Sequence, residues 1–260
     1  MADAVKHPAK FSPEVMDAIG DITRRRVTRG RRVLDGFAGT GRIHRLGESW
    51  GWDTTGIEIE PEWANMDPRT IVGDATRLPF PDRSFWAYIT SPCYGNRMAD
   101  HHDAKEKCKA CDGGGTVQVV HEGRRPKVTT ETCSKCWGKG YRAYKRNTYK
   151  HTLDRKRSDG IVDDLHPRNT GAMQWGPNYR AMHALAWAEA TRVTSHWLIL
   201  NISDHYRKGD LVPVTAWHVE RLELMGWTEK ERIEVRTQRN REGANGDLRA
   251  EFESVIAFRR

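Results

Sequence analysis

The stretch Arg32-Val33-Leu34-Asp35-Gly36-Phe37-Ala38-Gly39-Thr40-Gly41-Arg42-Ile43 decides how the rest of the chain is read. An apolar pair runs into an acid, Gly39 and Gly41 follow with one residue between them, and an amphipathic run through Ile43, Leu46 and Trp50 starts at once. That order is strand, tight glycine turn, helix. Such a turn lets backbone N–H groups and a helix N-terminus approach a ligand closely, the physics behind glycine-rich dinucleotide loops. An acid placed before the glycines repels a pyrophosphate and suits instead the ammonium of an amino-acid-like ligand. On that ground Asp35 is expected to point at a ligand and not into the core. A purely structural strand-to-helix turn explains the glycines equally well, so the continuation of the chain has to decide.

Outward from that turn, residues 54–61 read as a second strand ending in the acids Glu58 and Glu60, about 20 residues beyond the glycines, where a dinucleotide fold places its ribose-binding carboxylate. Residues 71–75 read as a third strand ending at Asp74. Each acid alone could be a surface carboxylate. Three of them at the C-terminal ends of successive strands mark the edge where open α/β sheets bind ligands. A fourth strand, 85–90, then runs into Ser91-Pro92-Cys93-Tyr94-Gly95-Asn96. Upstream, Ser12-Pro13-Glu14 has the N-cap, first-turn proline and first-turn acid of a helix, after a loose tail over residues 1–10. Arg24, Arg25, Arg26, Arg29, Arg31 and Arg32 follow, a run that could lie on phosphates or form a solvated face.

Two of these motifs carry a family resemblance. Asp35-x-Phe37-x-Gly39-x-Gly41 resembles the cofactor loop of the class I S-adenosylmethionine (SAM) dependent methyltransferases. Ser91-Pro92-Cys93-Tyr94 resembles the acid/Ser/Asn-Pro-Pro-aromatic motif of the amino-methyltransferases, which methylate an exocyclic base nitrogen. Its serine-initiated form is most typical of enzymes acting on the cytosine amino group. The resemblance implies a Rossmann-like α/β sheet, mostly parallel with an antiparallel last strand. It implies SAM held by Asp35, Phe37, Gly39 and Gly41, with Glu58 on the ribose and Asp74 near the adenine. It also implies catalysis at Ser91, Pro92, Cys93 and Tyr94 on cytosine N4 or adenine N6 in DNA.

Cys93 departs from the motif, because the family has a second proline there. A cytosine carbon-5 methyltransferase with Cys93 as nucleophile is the competing reading, and Gln238-Arg239-Asn240-Arg241 faintly resembles that family's Gln-x-Arg-x-Arg. That mechanism needs a Glu to protonate the ring, yet the corresponding stretch is Leu200-Asn201-Ile202. Guanine amino-methylation in RNA, and an inactive zinc-dependent nucleic-acid-binding protein, are the remaining alternatives.

Between residues 101 and 150 the composition turns polar, basic and glycine-rich. Cys108-x-x-Cys111-x-Gly113-x-Gly115 is answered by Cys133-x-x-Cys136-x-Gly138-x-Gly140. Two such knuckles complete a tetrahedral zinc site at Cys108, Cys111, Cys133 and Cys136, and their glycines free the backbone to turn around the sulfurs. The pattern resembles one zinc unit of the cysteine-rich domain of DnaJ chaperones, over about thirty residues. His101, His102 and His121 lie nearby and, with four thiolates available, read as surface or partner-binding residues. A basic, tyrosine-interleaved stretch from Tyr141 to Arg157 could place cations on phosphates and rings on bases, or be a solvated connector. Beyond it come a helix carrying Tyr179, Met182, Leu185 and Trp187, and a fifth strand over 196–202. A helix over 214–225 stopped by Gly226 follows, then strands over 232–236 and 254–258 joined by an arginine-bearing loop.

These readings divide the chain into an N-terminal helix and SAM-binding half (1–100), a zinc-knuckle insertion with its basic connector (101–170), and a second catalytic half (171–260). A formal charge of +8 over 260 residues suggests a polyanionic partner, DNA ahead of RNA. No charged-then-apolar leader opens the chain and its most apolar run is far too short to span a bilayer, so the expectation is a cytoplasmic protein without a membrane partner. Nothing in the sequence speaks to oligomeric state.

Overall fold

A computed structural model describes residues 12–95, 106–121, 123, 126–142, 166, 168–207, 210–236 and 250–260. The tail over 1–10, Asn96, His101, His102, the basic connector beyond Arg142 and the loop over 237–249 lie outside the described residues.

The first helix, α1 (Pro13–Thr23), begins where Ser12 accepts the Val15 N–H, and it buries Val15, Ile19 and Ile22. Then come β1 (Arg32–Asp35), α2 (Arg42–Trp50), β2 (Asp53–Glu58), the single turn α3 (Pro61–Ala64), β3 (Thr70–Val72) and β4 (Phe85–Thr90). Four short strands follow: β5 (Glu106–Lys107), β6 (Thr116–His121), β7 (Lys127–Thr132) and β8 (Tyr141–Arg142). A 3-10 turn (Thr170–Ala172) leads into α4 (Pro177–Val193), β9 (Thr194–Ile202), β10 (His205–Arg207), β11 (Asp210–Val212), α5 (Val214–Leu224), β12 (Thr228–Arg236) and β13 (Phe252–Arg259).

Seven strands form one sheet in the order β12-β13-β9-β4-β1-β2-β3. β1, β2, β3, β4 and β9 pair in parallel, whereas β13 runs antiparallel to both of its neighbours. Two antiparallel pairings in succession leave β12 parallel to the rest, so β13 is the single reversed strand. This is the Rossmann-like methyltransferase sheet. The strand order reverses direction at β1 and β4, and ligands in such sheets sit outside the carboxyl ends of the strands at that crossover.

Several boundaries differ from the sequence reading, and β9 and β13 each begin two residues earlier than expected. β2 stops at Glu58, and Glu60 lies past it at the start of α3. β3 stops at Val72, so Asp74 projects from the loop after the strand. β12 begins at Thr228, four residues earlier than expected. Its start, Thr-Glu-Lys-Glu-Arg, has no apolar alternation because it lies on the sheet's edge and packs little of either face.

Both faces of the sheet are covered. Tyr88, Leu198, Leu200 and Ile256 meet Trp187, Leu222 and Trp227 on one side. Val33, Ile89, Ile199 and Val255 meet Ile19, Ile22, Ile43 and Leu46 on the other. No helix among the described residues is long and apolar enough to cross a membrane.

Candidate active site

Asp35, Phe37, Gly39, Glu58, Asp74, Ser91, Pro92, Cys93 and Tyr94 all line one cleft of about 300 Å³ at the carboxyl edge of β1, β2 and β4. Gly41 does not line it. With φ +78° it caps α2 and turns the chain away from the strand, a left-handed position that favours glycine. Gly36 is required by close approach, since a Cβ there would lie 1.8 Å from the Tyr88 hydroxyl.

The acids are held more tightly than the sequence suggested. Asp35 is 2% exposed, and its Oδ1 accepts from the Phe37 N–H at 3.0 Å and the Thr90 hydroxyl at 2.6 Å. Burial pushes its carboxyl up to about 6, against the lowering effect of those two donors. Glu58 accepts the Gly39 N–H on one oxygen and the Glu60 N–H on the other, both at 2.9 Å, and burial pushes it up to about 7. Asp74 accepts the Thr76 N–H and hydroxyl at 2.8 Å and forms an ion pair with Arg168 at 2.8 Å. A cation entering this cleft would offset the burial that disfavours the charged forms of Asp35 and Glu58.

Arg168, Asn169 and Thr170 cross the cleft mouth, and no sequence motif announced them. Glu60 anchors this segment by accepting from Asn169 Nδ2 at 2.6 Å and the His166 N–H at 2.8 Å.

At the other end of the cleft, four polar side chains from three strand ends converge. Asn201 Nδ2, from β9, lies 3.1 Å from Ser91 Oγ, 3.0 Å from the Tyr94 hydroxyl and 2.9 Å from Glu253 Oε2. Tyr94 donates its hydroxyl to Glu253 at 2.8 Å. Asn201 Oδ1 is buried with no partner among the described residues. The sequence placed Asn201 at this edge but missed Glu253, because only the register of β13, with Ser254 opposite Ile202, brings that residue here.

Cys93 lines the cleft but takes no part in this hydrogen-bonded cluster. Its thiol faces Thr170, and burial pushes it up to about 12. Its carbonyl accepts the Tyr179 hydroxyl at 2.6 Å. Behind Tyr179 is a fully buried relay. Trp187 Nε1 donates to His218 Nδ1 at 2.9 Å, which leaves the ring proton on Nε2 to donate to the Tyr179 oxygen at 3.0 Å. Burial holds His218 well below and Tyr179 well above their ordinary values, so the relay is uncharged.

One residue before Tyr179, Asn178 ties the knuckle region to α4. Its Oδ1 accepts the Gln118 N–H and its Nδ2 donates to the Cys111 carbonyl, both at 3.1 Å. Cys108, Cys111, Cys133 and Cys136 are buried with all four sulfurs within 4.8 Å of one another. The closest pairs are 3.4 and 3.7 Å apart, near the roughly 3.8 Å edge of a tetrahedron with 2.3 Å zinc–sulfur bonds.

The two knuckles are related by a local twofold. Cys108 N–H donates to the Gly140 carbonyl and Cys133 N–H to the Gly115 carbonyl, each at 2.9 Å. A Cβ on Gly115 would lie 2.3 Å from the Gly138 oxygen, and one on Gly140 2.1 Å from the Gly113 oxygen. The repeated glycines are thus where the two halves cross. Asp112 and Trp137 occupy equivalent positions, both at φ +54°, and Trp137 is 82% exposed.

No family model matches the chain, and no curated protein matches it. Solved structures do. A SAM-dependent methyltransferase from Methanosarcina mazei superposes with a TM-score of 0.50 at 11% identity, over 97% of this chain and 99% of that one. A proposed RNA methyltransferase from Pyrococcus horikoshii superposes with a TM-score of 0.50 at 10% identity, over 99% of this chain and 91% of that one. At such identities the likeness is one of fold.

Proposed function

We propose that this protein is a SAM-dependent methyltransferase acting on the exocyclic amino group of a base in DNA, cytosine N4 or adenine N6, and that one structural zinc orders its inserted knuckles. The observation that carries the reading is the convergence of Ser91, Tyr94, Asn201 and Glu253 in the same cleft as the glycine loop.

The cleft fits SAM by its donor set. An ammonium beside Asp35 would offset the burial that now disfavours its charge, Glu58 offers acceptors for ribose hydroxyls, and Asp74 offers one for an amino group. SAM, when bound, supplies a methyl group on an electron-poor sulfur. The protein's own task is then to hold a nitrogen lone pair in line with it. A base flipped from its stack would lie on Tyr94, with its amino hydrogens shared between Ser91 Oγ and the Pro92 carbonyl. Asn201 fixes Ser91 and Tyr94 relative to each other. The Glu253 carboxylate, one hydrogen bond behind Tyr94, favours the positive charge that develops on the nitrogen.

The carbon-5 alternative asks for a thiolate at Cys93. A thiol pushed up to about 12 and turned toward Thr170 supports the amino reading instead. The charge of +8 favours a nucleic-acid partner, and the serine-initiated motif favours DNA over RNA. In this reading residues 1–100 and 171–260 are the two halves of the catalytic unit, residues 101–170 are the target-recognition insert, and the enzyme works in the cytoplasm without a membrane partner. Transfer of tritium from labelled SAM to DNA and to RNA is the test. Label in N4-methylcytosine or N6-methyladenine of DNA is expected. Label at carbon 5, label in RNA alone, or none with SAM bound would each replace the reading.

A further inference from the structure

At the opposite end of the sheet from the cleft, three guanidinium groups converge on one imidazole. His196 and Asn201 are five residues apart on β9, so this site lies about 17 Å along the strand from the catalytic cluster. Arg31 lies over the Trp86 ring at 3.9 Å, and Trp86 stacks on His196 with ring centroids 3.4 Å apart. Arg259 lies over Trp197 and donates to the His196 carbonyl at 2.9 Å. Arg83 stands in the turn before β4, which β4–β9 pairing sets beside the start of β9.

Burial, then the charges of Arg259, Arg83 and Arg31, holds His196 below its ordinary value. Among the described residues none of these three arginines is within ion-pair distance of a carboxylate; the neighbouring Asp82 is taken by Arg192. Three cations sharing one neighbourhood repel one another. The Trp86 and Trp197 rings hold Arg31 and Arg259 in place without neutralising them, which favours an anion. The imidazole is oriented for it as well. Ser195 donates to the Phe85 carbonyl at 2.8 Å and so accepts from His196 Nδ1 at 2.7 Å, leaving Nε2 as the nitrogen that a proton and an anion would share.

We propose that Arg31, Arg83, Arg259 and His196 form a phosphate-binding site, and that the phosphate it takes is that of a nucleic-acid backbone outside the segment in the cleft. The second part rests on the nucleic-acid reading above; the first does not. Arg31 and Arg83 are exposed and neither lines the cleft, so they can be changed without touching it.

The test reads binding and not methyl transfer, so it stands apart from whether the enzyme methylates DNA. A fluorescent duplex of several helical turns is titrated with the full chain, wild type and the double variant Arg31→Glu, Arg83→Glu. In parallel, inorganic phosphate is titrated while the His196 ring resonances are followed by NMR. We expect the double variant to keep the wild-type melting temperature, to bind duplex about tenfold more weakly, and to lose about two phosphate contacts from its salt dependence. Phosphate should raise the His196 titration midpoint in wild type and leave it unmoved in the variant. A phosphate response with unchanged duplex binding overturns the backbone assignment and leaves a site for free phosphate. No phosphate response in wild type overturns the site itself.

Discussion

The acids proposed to meet the ligand carry their own pH signature. Asp35 at about 6 and Glu58 at about 7 sit above the ordinary carboxylate range because they are buried, so the folded chain holds their protons more tightly than the unfolded chain. Their contribution to stability is complete below the ordinary carboxylate range and is lost as pH rises through about 6 to 7. A cationic ligand needs the opposite state. SAM affinity should therefore climb from about pH 5, by up to tenfold per unit for each acid that must ionise, and level off only above about pH 7, which calorimetry in buffers of different ionisation enthalpy measures as proton release. An affinity flat across that window removes both acids from the site. Asp35→Asn should flatten part of the rise. The expectation that Asp35 simply faces a ligand was incomplete: Asp35→Ala strands the Thr90 hydroxyl and the Phe37 N–H, and should cost about 1–3 kcal/mol of stability besides. At Ser91–Tyr94, Cys93→Ser should keep most activity, whereas Asn201→Ala, which removes the hub joining three partners, should lower kcat about a hundredfold with SAM affinity intact. A dead Cys93→Ser enzyme with a normal melting temperature would reinstate the nucleophile.

At the scale of elements, β1, β4 and β9 are legible in the sequence because buried parallel strands read as apolar runs, and the acids Asp35, Glu58 and Asp74, at or just past the ends of β1, β2 and β3, mark the carboxyl edge. Glu253 and Arg168 were not legible. Glu253 reaches the cleft only through the reversal of β13, and Arg168 only because Glu60 pins its segment across the mouth. The Tyr179–His218–Trp187 relay was hidden for the same reason, since α4 and α5 meet only in three dimensions. That relay fixes the Cys93 carbonyl, and with it the Ser91–Tyr94 loop proposed to be catalytic. Tyr179→Phe keeps the ring but strands the carbonyl and the His218 N–H. It should lower kcat about tenfold while leaving SAM affinity unchanged. His218→Gln, which can still present a donor to an intact Tyr179, should lower kcat less than Tyr179→Phe does. A Tyr179→Phe enzyme with wild-type kcat, or one whose only defect is SAM affinity, would show that the loop is held by other means.

For the molecule as a whole, the contrast is between a sheet with two covered faces and a knuckle module with almost no core of its own. The buried cluster of that module consists of the four cysteines, with Ala110 and Val117 packed against them. Apolar burial on that scale cannot order two knuckles and a hairpin, whereas four thiolates on one zinc can supply on the order of 10 kcal/mol. Freshly purified, reduced protein should contain one zinc per chain. Chelation should then expose residues 106–142 to hydrogen exchange while the strands of the sheet stay protected and the calorimetric SAM affinity is kept. Through Asn178, however, the Cys111 carbonyl is joined to the first turn of α4, one residue from the Tyr179 that holds the catalytic loop. Zinc loss should therefore lower kcat as well as weaken DNA binding, and Asn178→Ala should reproduce the fall in kcat with the zinc still in place. If chelated protein turns over a short single-stranded substrate at the wild-type rate, the module serves recognition alone and the connection through α4 carries no catalytic weight.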